Sequence, residues 1–518
     1  MAISGYLKCL IALAAIAAIF YSLALDGFIE GGDSTKYAVG ALALAQGKGY
    51  ADISVPVPAP FTYYPPLTSL LMAPFAFFGY NALALKIPAL LASALSVIVA
   101  GMLFRRFFGP RLSLMLAAVF AFCLPVLWYS HKALSDAPFV LLSLLAVFFA
   151  TEHVRLNSRL SAALAVVFTA LSCLTRVAGL ALIPALPIFL SLRGRPKAGI
   201  AFSLAALLLI SPWLIYPAFF PESGEPSYLG LMFAKNIEEY SSGYASGTLS
   251  VQEVAARSVS FASFYLFSSI PETVFPPLGA ARWVFGANPL AALPIAAAGI
   301  AVFAVFAAGM LSARRESGFA RIYLLIYLAA LFIYPYIDTS AVNRFLLPVL
   351  PLLLLFFADG LLLASSVFRE KTGISPKTSS ALVFAVIALM LFAGFSSCVY
   401  YLATQHERNF DGPYTNLLLA SEWVRENAPQ GALLWSPMPQ RVFLLTGRHT
   451  IKEPAETADE LLSAWKRSRV SYALLVDYSD SGRTAAEAAI AQGFAEAVYS
   501  APDGKTKVLK VINGVPAP

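Results

Sequence analysis

Two aspartates stand at the ends of apolar segments long enough to cross a membrane. Asp33 lies in EGGDSTKYAVG, after the first such segment, and Asp136 begins another in SHKALSDAPFV. A carboxylate placed there can take a proton from a hydroxyl or amine, as a general base does. The same side chain can instead cap the free amides of a helix N-terminus. Asp33 and Asp136 are therefore candidate catalytic residues, with capping as the alternative.

Basic side chains accompany these acids. His131 and Lys132 precede Asp136, Arg176 interrupts two apolar runs in CLTRVAGL, and Arg344 opens an apolar run in NRFLLPVLP. A guanidinium fork matches the oxygens of a phosphate, although a long basic side chain at a membrane boundary can also simply extend toward water. We predict that Arg176, Arg344 and Lys132 bind a phosphate, and that His131 contacts substrate.

The composition indicates what kind of scaffold holds these residues. Of the 518 residues, 59% are apolar and 13% charged, and the mean hydropathy is +0.72. A bilayer core needs roughly 20 apolar residues per helix. The pattern predicts a mainly α, polytopic membrane helix bundle with eleven spans, near residues 7–25, 82–103, 111–129, 137–152, 160–175, 178–192, 198–220, 288–311, 321–337, 344–364 and 379–401.

Charge placement predicts the orientation of this bundle. Fifteen lysines and arginines fall in alternate loops, which marks those loops as cytoplasmic. Acids, including Asp33 and Asp136, collect in the opposite loops. The N-terminus is then cytoplasmic, and eleven spans leave the C-terminus outside. We attribute the net charge of +7 to this topology, not to nucleic-acid binding.

The outer face is predicted to carry surface elements as well as loops. The first outer loop, residues 26–81, contains a short helix after Asp33 that ends at Gly47 and Gly49. It also contains an apolar segment, 63–79, which is broken by a proline and suits the membrane surface better than its interior. Tyr63 and Tyr64 begin that segment and are candidate substrate-binding residues. A long outer loop is predicted at 221–287.

Residues 402–518 alternate between helix-like and strand-like patterns, which is typical of a small α/β domain. The segment KTKVLKVI is predicted to form an edge strand. The two predicted domains are thus a transmembrane catalytic domain, 1–401, and an extracytoplasmic domain, 402–518.

Cysteine and histidine offer little further chemistry. The four cysteines fall within predicted spans without a CxxC spacing, and the four histidines are scattered. Neither a disulfide framework nor a zinc site is predicted. We expect no certain cofactor and leave a divalent cation open.

The order of these motifs resembles the GT-C superfamily. It comprises EGGDSTKYAVG after the first span, YPPL opening a surface helix, LSDAPF heading a later span, TRVAGL, NRFLLPVLP and an outer α/β tail. Within that superfamily the chain is most similar to bacterial members of glycosyltransferase family 39, a group akin to protein O-mannosyltransferases and the lipid A aminoarabinose transferase.

This resemblance implies a membrane glycosyltransferase. Such an enzyme moves a sugar from a polyprenyl-phosphate donor to a lipid, glycan or protein acceptor on the outer face of the plasma (inner) membrane. The first-loop acid acts as general base in an inverting reaction, a role that falls on Asp33, while Asp136 matches the second-loop acid. Many relatives carry an acidic pair in the first loop, whereas Ser34 follows Asp33 here.

Two other functions fit parts of the pattern. A secondary transporter or lipid-linked glycan flippase would also place charges in a membrane, but such proteins carry them near the midplane and show internal repeats. A glycan ligase or polymerase of similar architecture would differ in the size of the transferred group. Solute flux in proteoliposomes would favour the first, and product size would identify the second.

The predicted topology can be tested at the C-terminus. Alkaline phosphatase fused after residue 518 should be active, because eleven spans place residues 402–518 outside. Activity of a cytoplasmic reporter at that position would instead show that the span count is wrong by one.

Overall fold

The computed structural model is mainly helical. It describes residues 3–220, 228–236, 247–286, 288–312, 317–338, 340, 342–410, 413–452, 458–476 and 483–512. In chain order the α-helices are α1 (Ile3–Ser22), α2 (Asp33–Ala45), α3 (Leu67–Ala76), α4 (Ala82–Phe107), α5 (Pro110–Ala121), α6 (Leu124–Ser130), α7 (Asp136–Leu156), α8 (Arg159–Thr175), α9 (Leu182–Leu192), α10 (Pro196–Ile215), α11 (Tyr228–Phe233), α12 (Val251–Phe264), α13 (Ile270–Val274), α14 (Pro276–Phe285), α15 (Pro289–Ser312), α16 (Gly318–Ile333), α17 (Leu350–Thr372), α18 (Pro376–Phe410), α19 (Pro413–Asn427), α20 (Pro439–Thr446), α21 (Ala458–Ser468) and α22 (Arg483–Ala491).

Seven of the described helices are long and apolar enough to cross a membrane: Ser4–Ser22, Ala82–Phe107, Asp136–Leu156, Pro196–Phe219, Leu290–Ser312, Leu347–Thr372 and Pro376–Thr404. The pair α5 and α6 bends by 54° and makes an eighth if it forms one broken span. Pro125, in the first turn of α6, cannot donate to the helical hydrogen-bond ladder, which suits a break there. Shorter apolar helices occupy 159–175, 177–192 and 318–333. Each predicted span thus carries a helix, three of them short, and the predicted mainly α membrane bundle is confirmed.

The chain divides into two compact units, which are described separately. The first contains Met1–Leu25, Thr62–Thr68 and Lys86–Tyr400, and the second contains Asp26–Phe61, Ser69–Leu85 and Tyr401–Pro518. Most of the predicted first outer loop therefore folds in the same unit as the predicted C-terminal domain.

The second unit is built on a five-stranded sheet in the order β4-β3-β5-β7-β6. Its strands are β3 (Leu434–Trp435), β4 (Thr450–Ile451), β5 (Tyr472–Leu475), β6 (Ala495–Ser500) and β7 (Lys507–Val511). The first three are parallel, whereas β7 pairs antiparallel with both β5 and β6. The predicted edge strand, β7, is therefore an inner strand, and that prediction is wrong. Its burial agrees with the inner position, since Val508 and Leu509 are fully buried.

The first outer loop is attached to an edge of this sheet. It forms a small hairpin of β1 (Ala51–Asp52) and β2 (Ala59–Pro60). The backbone amide of Thr450 in β4 donates to the carbonyl of Ser54 at 2.8 Å. Asp52 accepts from Gln440 of α20 at 2.8 Å and from the backbone amide of Ser54 at 2.9 Å. The bonds from Thr450 and Gln440 satisfy polar groups of the loop with groups from the other end of the chain.

The predicted surface elements form helices where the structure describes them. The short helix after Asp33 is α2, and Gly47 beyond its end has a φ of 70°, which favours glycine. Within 63–79 the helix is α3, followed by Phe77 and Phe78, which are 71% and 96% exposed. Parts of the predicted loop 221–287 lie outside the described residues, and the rest contains α11 to α14.

The helices α15 and α17 of the first unit approach each other closely through two glycines. A β-carbon added at Gly309 would lie 1.8 Å from the carbonyl oxygen of Phe356. One added at Gly360 would lie 1.9 Å from the carbonyl oxygen of Val305. Small residues at such a crossing let two backbones pack in contact, which stabilises helix pairs in membranes.

Replacing Gly360 by alanine should lower the stability of the protein. The added methyl group must push the two backbones apart, and such overpacking costs about 1–3 kcal/mol. The matched control is Gly109→Ala at the start of α5, where φ is −63° and a β-carbon would meet nothing within 4 Å. The apparent Tm of each purified variant in detergent is the measurement. Equal Tm values for Gly360→Ala and Gly109→Ala would contradict this packing.

Candidate functional site

The carboxylate of Asp136 is the centre of a buried ionic cluster in the first unit. Asp136 is the first residue of α7, and its side chain has no exposed surface. Nε of Arg344 lies 3.0 Å from each carboxylate oxygen, and Nη1 of Arg176 also contacts Oδ1. The position at a helix N-terminus adds a favourable electrostatic interaction with the helix dipole.

Both cations of the cluster are partly exposed. One carboxylate faces two guanidinium groups, whose side chains keep 17% and 24% of their surface exposed. Burying the acid is costly unless cations surround it, and here both partners also retain surface that can meet a ligand. The arrangement can hold an anion such as a phosphate, with Asp136 orienting the two cations.

Arg176 reaches the cluster because α8 ends immediately before it. The residue is extended, with φ −147° and ψ 141°, and the following segment, 177–181, is a 3₁₀ turn. Gly179 lies against α8, where a β-carbon would approach the backbone nitrogen of Cys173 to 2.6 Å. This close return explains the glycine in TRVAGL and directs Arg176 away from its own helix.

Arg344 is held by a separate set of hydrogen bonds. The backbone amide of Arg344 donates to Oδ2 of Asp338 at 2.6 Å. The side-chain amide of Asn343 donates to the carbonyl of Asp338 at 2.9 Å and to the hydroxyl of Ser269 at 2.5 Å. Ser269 ends a π-helical turn, 265–269, a feature common at functional sites. Sequence reasoning did not single out Asp338 or Asn343.

The other predicted residues of the first unit lie in two places. His131 and Lys132 are buried in the connection between α6 and α7. The ring Nδ1 of His131 is 2.9 Å from the carbonyl oxygen of Leu127, and Nζ of Lys132 lies 4.5 Å from the ring centre of Trp128. The half-buried rings of Tyr63 and Tyr64 contact each other, with centroids 5.0 Å apart.

Asp33 belongs to the second unit and is the first residue of α2. The N-cap position is held by Gly32, with φ 67° and ψ −131°, so Asp33 is not the N-cap residue that the capping alternative assumed. Its side chain is partly exposed, and Lys36 follows one turn along the helix. An acid in the first turn of a helix is favoured by the helix dipole and can still accept a proton from a bound substrate.

Sequence reasoning missed one buried cation in the membrane region. Lys86 lies in α4, one of the seven membrane-length helices, and is only 1% exposed. A lysine within such a helix is a candidate functional residue because an ionisable group there is costly. The signal was present in the sequence, where Lys86 stands inside a long apolar run. Across the described residues, no group of three or more His, Cys, Asp or Glu side chains could hold a metal ion.

The chain is similar to membrane glycosyltransferases. Residues 64–216 match the family model described as dolichyl-phosphate-mannose-protein mannosyltransferase. ArnT from Cupriavidus metallidurans bound to undecaprenyl phosphate aligns with a TM-score of 0.60 and 16% identity, covering 100% of both chains. The Archaeoglobus fulgidus oligosaccharyltransferase, tethered with an acceptor peptide, aligns with a TM-score of 0.54 and 14% identity over 98% of this chain and 74% of its own. No curated protein matches the chain.

The protein therefore has the GT-C fold of membrane glycosyltransferases, as the order of its motifs predicted. It is a multi-pass membrane protein with a small sheet-containing unit. At these identities the structural matches show the fold alone, because one fold can host several reactions.

Removing the central carboxylate should strongly destabilise the protein. Asp136→Ala removes the buried carboxylate that both guanidinium groups contact, and breaking a buried pair in this way costs about 3–5 kcal/mol. The control is Glu422→Ala, because Glu422 pairs with Arg425 and both side chains are more than half exposed. Loss of such a surface pair costs at most about 1 kcal/mol. Similar falls in apparent Tm for both variants would contradict the role assigned to Asp136.

Proposed function

We propose that this protein transfers a sugar from a polyprenyl-phosphate carrier to an acceptor on the outer face of the plasma membrane. The observation that carries the proposal is the cluster of Asp136, Arg176 and Arg344, in which a buried carboxylate anchors two partly exposed guanidinium groups. The family match to a dolichyl-phosphate-mannose-dependent transferase and the fold of ArnT support a lipid-phosphate donor.

The two arginines bind the donor phosphate in this proposal. As the bond between the sugar and the phosphate breaks, the electron pair moves to the phosphate oxygen, which gains negative charge. Guanidinium groups fixed in advance stabilise this charge without rearranging during the reaction. Asp136 serves by holding the two cations, while Lys132 is a further candidate for contact with the phosphate.

Asp33 is the general base in the proposed reaction. The acceptor oxygen or nitrogen attacks the anomeric carbon from the side opposite the phosphate, and its proton passes to the carboxylate of Asp33. The sugar inverts its configuration, and the polyprenyl phosphate leaves. Tyr63, Tyr64 and His131 are the proposed contacts to substrate. The acceptor is a lipid, a glycan or a protein, and the N-terminus lies on the cytoplasmic side.

The activity can be tested with the cell's own donor. Mass spectrometry should show a polyprenyl-phosphate sugar accumulating in cells that lack the protein, together with loss of that sugar from an envelope glycan, lipid or protein. Purified protein added to membranes of those cells should consume the accumulated lipid. No accumulation and no consumption would overturn the proposal, and transfer of a polymer would identify a ligase.

The two proposed roles predict opposite defects. Asp33→Asn should bind undecaprenyl phosphate like the parent but consume the accumulated lipid about 100-fold more slowly, because general base catalysis is lost. Arg176→Gln and Arg344→Gln should instead weaken binding of undecaprenyl phosphate. An Asp33→Asn rate within a few fold of the parent would overturn the base assignment, and unchanged binding by both glutamine variants would overturn the phosphate assignment.

A further inference from the structure

Arg441 of α20 is buried in the second unit among residues of the first outer loop. The residue is 4% exposed. The guanidinium carbon lies 5.2 Å from the ring centre of Phe28 and 5.2 Å from that of Tyr414, and these two rings contact each other at 4.6 Å. Phe28 belongs to the loop and Tyr414 to α19. Cation–π contacts on two rings fix the plane and position of the guanidinium.

The same guanidinium lies directly against the backbone that leads to Asp33. A β-carbon added at Gly31 would lie 2.7 Å from Nη2 of Arg441, so only glycine leaves room for this contact. The next residue, Gly32, has a φ of 67°, where other residues are strained. Two consecutive glycines thus shape the turn from Phe28 into α2, and Arg441 occupies the space that the first one leaves.

Neighbouring residues fix the far end of the same loop. Gln440, adjacent to Arg441, donates to Asp52 at 2.8 Å, and the amide of Thr450 donates to the carbonyl of Ser54 at 2.8 Å. The helix α2 itself packs against α20. The loop is therefore held at its start, along α2 and at its hairpin by one short segment, 440–450.

We infer that Arg441 is the residue that positions Asp33 for proton transfer, acting through the backbone of Gly31 and Gly32. The inference rests on the proposed function, since it assumes that Asp33 is the base. It gives the C-terminal domain a role in the reaction, because the domain supplies the side chain that sets the start of α2. A shift of about 1 Å in such a group can cost about 100-fold in rate.

The test compares two buried arginines of the same segment in the full-length protein. Arg441→Met should consume the accumulated lipid in membranes about 100-fold more slowly than the parent. It should bind undecaprenyl phosphate normally and show faster hydrogen exchange at residues 28–35. The control is Arg448→Met. Arg448 is also 4% exposed, but it donates to backbone carbonyls of Arg425, Ala428 and Pro429 within the C-terminal domain. Its loss should reduce stability and leave the rate per folded molecule near that of the parent.

A second pair of variants tests the inference if Arg441→Met does not fold. Gly31→Ala should slow transfer because its methyl group displaces the guanidinium, whereas Gly27→Ala should not, since a β-carbon there meets nothing within 4 Å. Parental rates in either Arg441→Met or Gly31→Ala would overturn the inference.

A double variant separates this inference from the proposed function. In the Asp33→Asn background, Arg441→Met should slow the residual rate little further, because both changes act on one step. An equally large effect in both backgrounds would show that Arg441 acts elsewhere and would overturn the inference alone. The single variant Asp33→Asn independently decides whether Asp33 is the base.

Discussion

The burial of the Asp136 carboxylate determines much of the first unit. A carboxylate without exposed surface is tolerated only when cations and hydrogen bonds replace its water. Both cations come from chain breaks, Arg176 after α8 and Arg344 before α17. The ends of three membrane-region segments are therefore brought to one point. The two guanidinium groups gathered there keep 17% and 24% of their side-chain surface exposed, which suits contact with an anion.

The two arginines of the cluster are positioned in different ways. Arg176 is directed by a glycine-dependent turn that returns onto its own helix. Arg344 is held through its backbone by Asp338, which is joined to a π-helical turn by Asn343 and Ser269. Because each arginine has its own support, its guanidinium group has little freedom before a ligand binds. The entropy cost of ordering these side chains around a bound phosphate is therefore smaller.

The second unit shows why the first outer loop and the C-terminal residues form one structure. The loop contains a two-stranded hairpin that is too small to be stable by itself, and its carboxylate Asp52 requires partners when buried. The sheet of the C-terminal domain supplies the amide of Thr450 and the side chain of Gln440. In return the loop covers α20 and surrounds Arg441 with an aromatic ring and a glycine backbone.

The sequence by itself determined the membrane class, the positions of the helices and the candidate functional residues. These depend on composition within about 20 residues and on a bilayer of known thickness. The tertiary structure alone decided which of those residues meet. Asp136 contacts partners 40 and 208 residues away, and Arg441 lies against Gly31 from the other end of the chain. The sequence shows Lys86 inside an apolar run, but its burial depends on neighbouring helices and is known only from the structure. The inner position of β7 also depends on tertiary structure. An alternating pattern shows that one face of a strand is buried, but it does not show whether one or two strands pair with it.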